Sequence, residues 1–164
     1  MDKEEILKEI NKTKEHLANM EKMLEEHNKR WKPEPKEEYY CINDGNDVRR
    51  VNFNIMNAYD RDRIKTYNCF RTKEEAEAEA EKILIRRQLE DIARRLNKGN
   101  KIDWNNGKQF KYYICIDSCD NEILWSREVQ YISQGVVYCL DMDFYNVAIQ
   151  EIGEERLIKY LRSE

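Results

Sequence analysis

Both prolines of this 164-residue chain stand together, at Pro33 and Pro35. Proline lacks a backbone N–H and pushes the residue before it out of the helical region. A helix arriving from the N-terminus must therefore stop near residues 30–32, and everything after residue 38 folds without proline. The pair predicts three parts. These are a helix over 1–31, a short, stiff, charged connector over 32–38, and a globular domain over 39–164.

The first part carries a narrow apolar stripe. Ile6, Ile10, Thr13, Leu17, Met20, Leu24, His27 and Trp31 follow one another at alternating steps of four and three. That is a period of about 3.5 residues, the repeat of a coiled-coil seam, which a straight helix does not hold in line. Lys and Glu dominate the other faces, so the stripe predicts self-association through Ile6, Ile10, Leu17, Met20, Leu24 and Trp31. Thr13 and His27 are polar seam positions of the kind that fix register at some cost in stability.

The remainder alternates short extended runs with helices. Tyr39-Tyr40-Cys41-Ile42 and Tyr112-Tyr113-Ile114-Cys115-Ile116 are apolar and aromatic, and each ends in turn residues. Second extended runs follow over 48–53 and 123–131. Asn43-Asp44-Gly45-Asn46 and Asn105-Asn106-Gly107 have the composition of tight turns. Cys69-Phe70-Arg71-Thr72 and Tyr138-Cys139-Leu140-Asp141 each lead into a helix, with Thr72 and Asp141 as N-cap types. Thr72 with Glu75 makes a capping box.

Ala76, Ala80, Ile83, Leu84, Ile85, Leu89, Ile92 and Leu96 give a wide apolar face to a helix over 73–97, with Gly99 past its end. A last helix runs over 142–152, breaks at Gly153 and resumes over 154–161. This order predicts an α+β domain: a small, mostly antiparallel sheet packed by two helices, in two weakly repeated β-β-β-α units.

Familiar catalytic and metal chemistry finds few residues to use. The only two histidines, His16 and His27, fall in the N-terminal helix, which leaves the domain without an imidazole base or ligand. Cys115 and Cys119 lack a second pair of matching spacing, so they read as core and turn residues. The acidic pairs Asp60/Asp62, Asp117/Asp120 and Asp141/Asp143 sit in turn or capping contexts. Around Gly45 the calcium-loop spacing fails, because Ile42 falls on a ligand position. Five dispersed glycines leave no phosphate-cradling loop. No catalytic residue, metal site or cofactor is expected.

Charge supplies the remaining candidates. Lys plus Arg at 29 against Asp plus Glu at 33 gives a net charge of −4, unevenly spread. Residues 45–71 are basic through Arg49, Arg50, Arg61, Arg63, Lys65 and Arg71. Arg94 and Arg95 belong to a second basic stretch on the long helix. Residues 117–155 hold nine acidic residues against Arg127 alone. Arg49, Arg50, Arg61, Arg63, Arg94 and Arg95 are the candidate binding residues. Their target is an acidic protein surface or, with Tyr59 and Tyr67 to stack on bases, a nucleic acid or phosphorylated nucleotide. The apolar runs are too short for a membrane span and the N-terminus too charged for a secretory signal, while five cysteines, which cannot all pair within one chain, suit a reducing compartment. A soluble, cytoplasmic protein with no membrane partner is expected.

Asn68-Cys69-Phe70-Arg71-Thr72-Lys73-Glu74-Glu75-Ala76 and Glu151-Ile152-Gly153-Glu154-Glu155-Arg156-Leu157, in this order with the runs above, resemble small phage and prophage proteins of Gram-positive bacteria. The resemblance spans nearly the whole chain. It departs at Cys139-Leu140-Asp141-Met142-Asp143, where a Ser-rich cap is more usual. It brings no catalytic residues. It implies an accessory protein that acts by binding a host protein, as inhibitors of bacterial defence such as anti-CRISPR proteins do.

Overall fold

The computed structural model describes residues 12–14, 17, 20, 31–117, 119–120 and 122–162. The protein is α+β, and the chain divides into two compact units, Met1–Cys41 with Arg50–Thr72, and Ile42–Arg49 with Lys73–Glu164.

Residues 12–14, 17 and 20 are helical, as the stripe requires of them. Ile6, Ile10, Leu24 and His27 lie outside the described residues. Trp31, expected at the last seam position, is outside any helix and packs with Val51 and Ile64 on a buried cluster of Tyr39, Cys41, Phe53 and Cys69. An indole beside two prolines gains more by covering this small core than by prolonging a helix the prolines end. The stretch expected as a connector is tied down as well. Pro33 is buried, Lys36 N donates to Phe53 O at 2.9 Å, and Phe53 N donates to Glu37 O at 2.9 Å.

β1 (Glu38–Ile42) and β2 (Val48–Asn52) form a two-stranded sheet. Their turn is closed by Asn43, whose side-chain oxygen accepts from Asp47 N at 2.8 Å, while Asn46 adopts φ 67°. In the first unit, Tyr40 makes one further antiparallel bridge, to Phe70. Between β2 and that bridge lies α1 (Ala58–Lys65), a helix not anticipated from its sequence.

The second unit is built on α2 (Lys73–Asn97), followed by β3 (Lys111–Ile116), β4 (Ile123–Glu128), α3 (Phe144–Ile152) and α4 (Glu154–Leu161). β3 and β4 pair antiparallel in a register running from Lys111 opposite Glu128 to Ile116 opposite Ile123. The expected single sheet is thus two separate two-stranded ones. Tyr112 of β3 bridges to Cys139, as Tyr40 does to Phe70.

Helix α2 buries Ile85, Leu89, Ile92 and Ala93, spaced as one helical face, against Ile114, Ile123, Phe144, Ala148, Ile152, Leu157 and Tyr160. Asp141 does not cap α3. Its carboxylate accepts from Asp143 N at 2.9 Å, shaping a turn that delays the helix to Phe144. Gly153, at φ 94°, both ends α3 and opens α4. A side chain is strained there, and only glycine adopts such a φ freely.

Candidate functional site

In the first unit, a buried carboxylate organises an exposed apolar loop. Asp60, in the first turn of α1, is 0% exposed. Burying a lone carboxylate is costly, so its oxygens must be matched. Tyr39 Oη donates to Oδ1 at 2.7 Å, Arg63 Nη1 donates to the same oxygen at 3.1 Å, and Asn54 N donates to Oδ2 at 2.9 Å. Arg63 Nη1 also donates to Tyr39 Oη at 3.2 Å. Burial pushes the Tyr39 hydroxyl up to about 12, with Arg63 opposing the rise and Asp60 adding to it.

The same network fixes the residues that precede α1. Asn54 Oδ1 accepts from Met56 N at 3.0 Å, and Asn57, the N-cap, accepts from Tyr59 N at 3.0 Å. Arg61 Nη1 closes over the loop to donate to Ile55 O at 2.9 Å. A loop held at so many points nonetheless turns three large side chains outward: Ile55 is 56% exposed, Met56 82% and Tyr59 75%. Rigid, exposed Met and Tyr beside an Arg is the composition of protein interface centres.

The six candidate arginines are mostly engaged within the chain. Arg50 meets Glu38 at 3.5 Å, and Arg63 meets Asp60. Arg94 and Arg95 both pair with Asp91 at 3.0 Å, and Arg95 reaches Glu151 at 2.6 Å. Arg61 spends an N–H on a carbonyl, and Arg49 is exposed. Arg50, Arg61 and Arg63 belong to the first unit, and Arg49, Arg94 and Arg95 to the second.

Of the N-terminal candidates, Leu17 and Met20 are each 53% exposed, with no described side chain covering them fully.

The second unit holds one buried cation that charge counting missed. Lys111 is 0% exposed; its Nζ donates to Val129 O at 2.8 Å and Asn106 O at 3.2 Å, and lies 5.2 Å from the Trp104 ring centre. A lysine directly before the aromatic run Tyr112-Tyr113 was the available signal. Cys139 is buried and Cys115 half-buried, and burial pushes both thiols up, away from reactivity. Among the described residues, no three His, Cys, Asp or Glu side chains converge as a metal site, and no helix is long and apolar enough to cross a membrane.

No protein-family model, curated protein or solved structure matches this chain.

Proposed function

We propose that the protein is a non-catalytic binding protein that self-associates through its N-terminal helix and docks on a protein of a bacterial host cell through the loop at residues 54–59. One observation carries the docking reading. The buried Asp60 network orders a loop whose largest side chains, Ile55, Met56 and Tyr59, lie in solvent. Each such side chain gains about 1.5–3 kcal/mol on burial by a partner, and the loop, already ordered, loses little entropy on docking. Arg61 beside Ile55, in a stretch of net positive charge, favours an apolar pocket with an acidic rim. The resemblance to phage proteins adds the host context, with defence machinery as one class of target.

Phosphate recognition by the arginines is the weaker reading, because Arg50, Arg63, Arg94 and Arg95 each already face a carboxylate. The test is affinity capture from a host lysate with the unaltered chain and with Met56→Asp/Tyr59→Asp. One host protein held by the first and released by the second, at unchanged thermal stability, is the expected result. Identical capture by both chains sinks the loop as the docking surface.

A further inference from the structure

The second unit contains an unfinished sheet. Asp117 N donates to Glu122 O at 2.9 Å, which marks that pair as hydrogen-bonded. Antiparallel pairs alternate, so Lys111, Tyr113 and Cys115 turn their main chain toward β4, and Tyr112, Ile114 and Ile116 turn theirs to the opposite edge. Tyr112 obeys this rule: its N donates to Cys139 O at 2.7 Å and its O accepts from Cys139 N at 2.9 Å.

Continued in the same register, Val137 would stand opposite Ile114 and Gly135 opposite Ile116. They do not pair; the bridge to Cys139 is isolated. A cavity of about 370 Å³ opens instead, walled by residues 113–116 and 134–137 and floored by Leu89, Phe144, Leu157 and Tyr160. That volume lies at the low end of ligand sites, about 300–1,000 Å³.

The occupant follows from the lining. No carboxylate, ammonium or guanidinium lines the cavity, so a charged small molecule would find no counter-charge inside. The main-chain N–H and C=O groups of Ile114 and Ile116 face it, and among the described residues no backbone partner takes them. A strand edge beside an apolar floor matches an extended polypeptide. Its main chain supplies the hydrogen bonds, and its alternate side chains fill the floor. Just past Ile116 the β3–β4 turn carries Asp117, Asp120 and Glu122, within a stretch of nine acidic residues against Arg127.

We propose that this groove binds an extended peptide as an added strand alongside β3, apolar at alternate positions and basic at the end beside the β3–β4 turn. The groove lies wholly in the second unit and does not depend on the loop of the first.

Selection of random decapeptides displayed on phage against the full-length protein provides the probe. Expected winners alternate apolar residues and end in Lys or Arg. A synthetic winner should slow amide exchange of Ile114 and Ile116 at least about tenfold. N-methylation at the peptide residues that face β3 should weaken it about tenfold or more, whereas methylation one residue out of register should not. Asp120→Lys/Glu122→Lys, at exposed positions, should weaken binding and flatten its dependence on salt. Met56→Asp/Tyr59→Asp should leave peptide binding unchanged, which separates this inference from the docking loop. Failure to select any peptide, or binding that leaves the exchange of Ile114 and Ile116 unaltered, overturns it. So does a neutral naphthalene dye that binds the cavity and that no selected peptide displaces, since that marks a small-molecule pocket.

Discussion

The Tyr39 hydroxyl donates to the Asp60 carboxylate at 2.7 Å, and both side chains are fully withdrawn from solvent. One residue comes from β1 and the other from α1, so this bond joins strand to helix within the first unit. Removing either partner should be felt, but unequally. Asp60→Ala strands both Tyr39 and Arg63 and should cost about 3 kcal/mol, the lower end for a broken buried pair, because Arg63 keeps some solvent. Tyr39→Phe removes one hydroxyl and should cost about 1 kcal/mol. Urea unfolding followed by circular dichroism checks the order; equal losses would contradict it.

The same hydroxyl predicts an alkaline limit to stability. Its folded value of about 12 lies above the ordinary tyrosine value of 10. The folded state therefore keeps a proton that the unfolded chain releases. The contribution is fully present below pH 10 and drains away as pH rises from 10 toward 12. Urea midpoints measured from pH 8 to 11.5 should fall more steeply for the unaltered chain than for Tyr39→Phe.

The proposed assembly draws on residues exposed in the single chain. Leu17→Glu/Met20→Glu places charge on two half-exposed seam positions. Sedimentation should show the unaltered chain assembled and the variant monomeric, with monomer stability changed by no more than about 0.5 kcal/mol. An unaltered chain that sediments as a monomer at every concentration ends the assembly proposal.

Gly153 serves two helices with one unusual conformation, φ 94° and ψ 139°. A Cβ there would meet nothing within 4 Å. The cost of Gly153→Ala is thus backbone strain alone, about 1–3 kcal/mol. Differential scanning calorimetry should show a lower melting temperature with the same heat capacity change.

Helices α2, α3 and α4 were legible because their apolar residues recur at helical spacing and Gly153 interrupts them. The hairpin at 43–46 was legible from its turn residues. Helix α1 was not. AYDRDRIK holds one core-facing aliphatic, Ile64, and its anchor is Asp60, a carboxylate that any hydrophobic pattern assigns to the solvent side. Charge counts likewise identified Arg63, Arg94 and Arg95 without revealing that each is paired. The Asp91 pairs follow from spacing on a helix, whereas Glu151 is brought to Arg95 only by tertiary packing. Trp31 was read as a seam position from its spacing alone, and only the tertiary structure places it against Val51 and Ile64. The groove beside β3 was invisible, because it arises from strands that fail to pair.

Lys111 has a further consequence. Its ammonium is bound by the carbonyls of Asn106 and Val129 and lies against the Trp104 ring. It is covalently part of β3, so it cannot leave without the strand. Losing the Asn106 carbonyl on one side, or the Val129 carbonyl just beyond β4 on the other, removes one of its acceptors until water replaces it. The 104–106 loop, β3 and the chain just beyond β4 are thereby tied together through one ammonium.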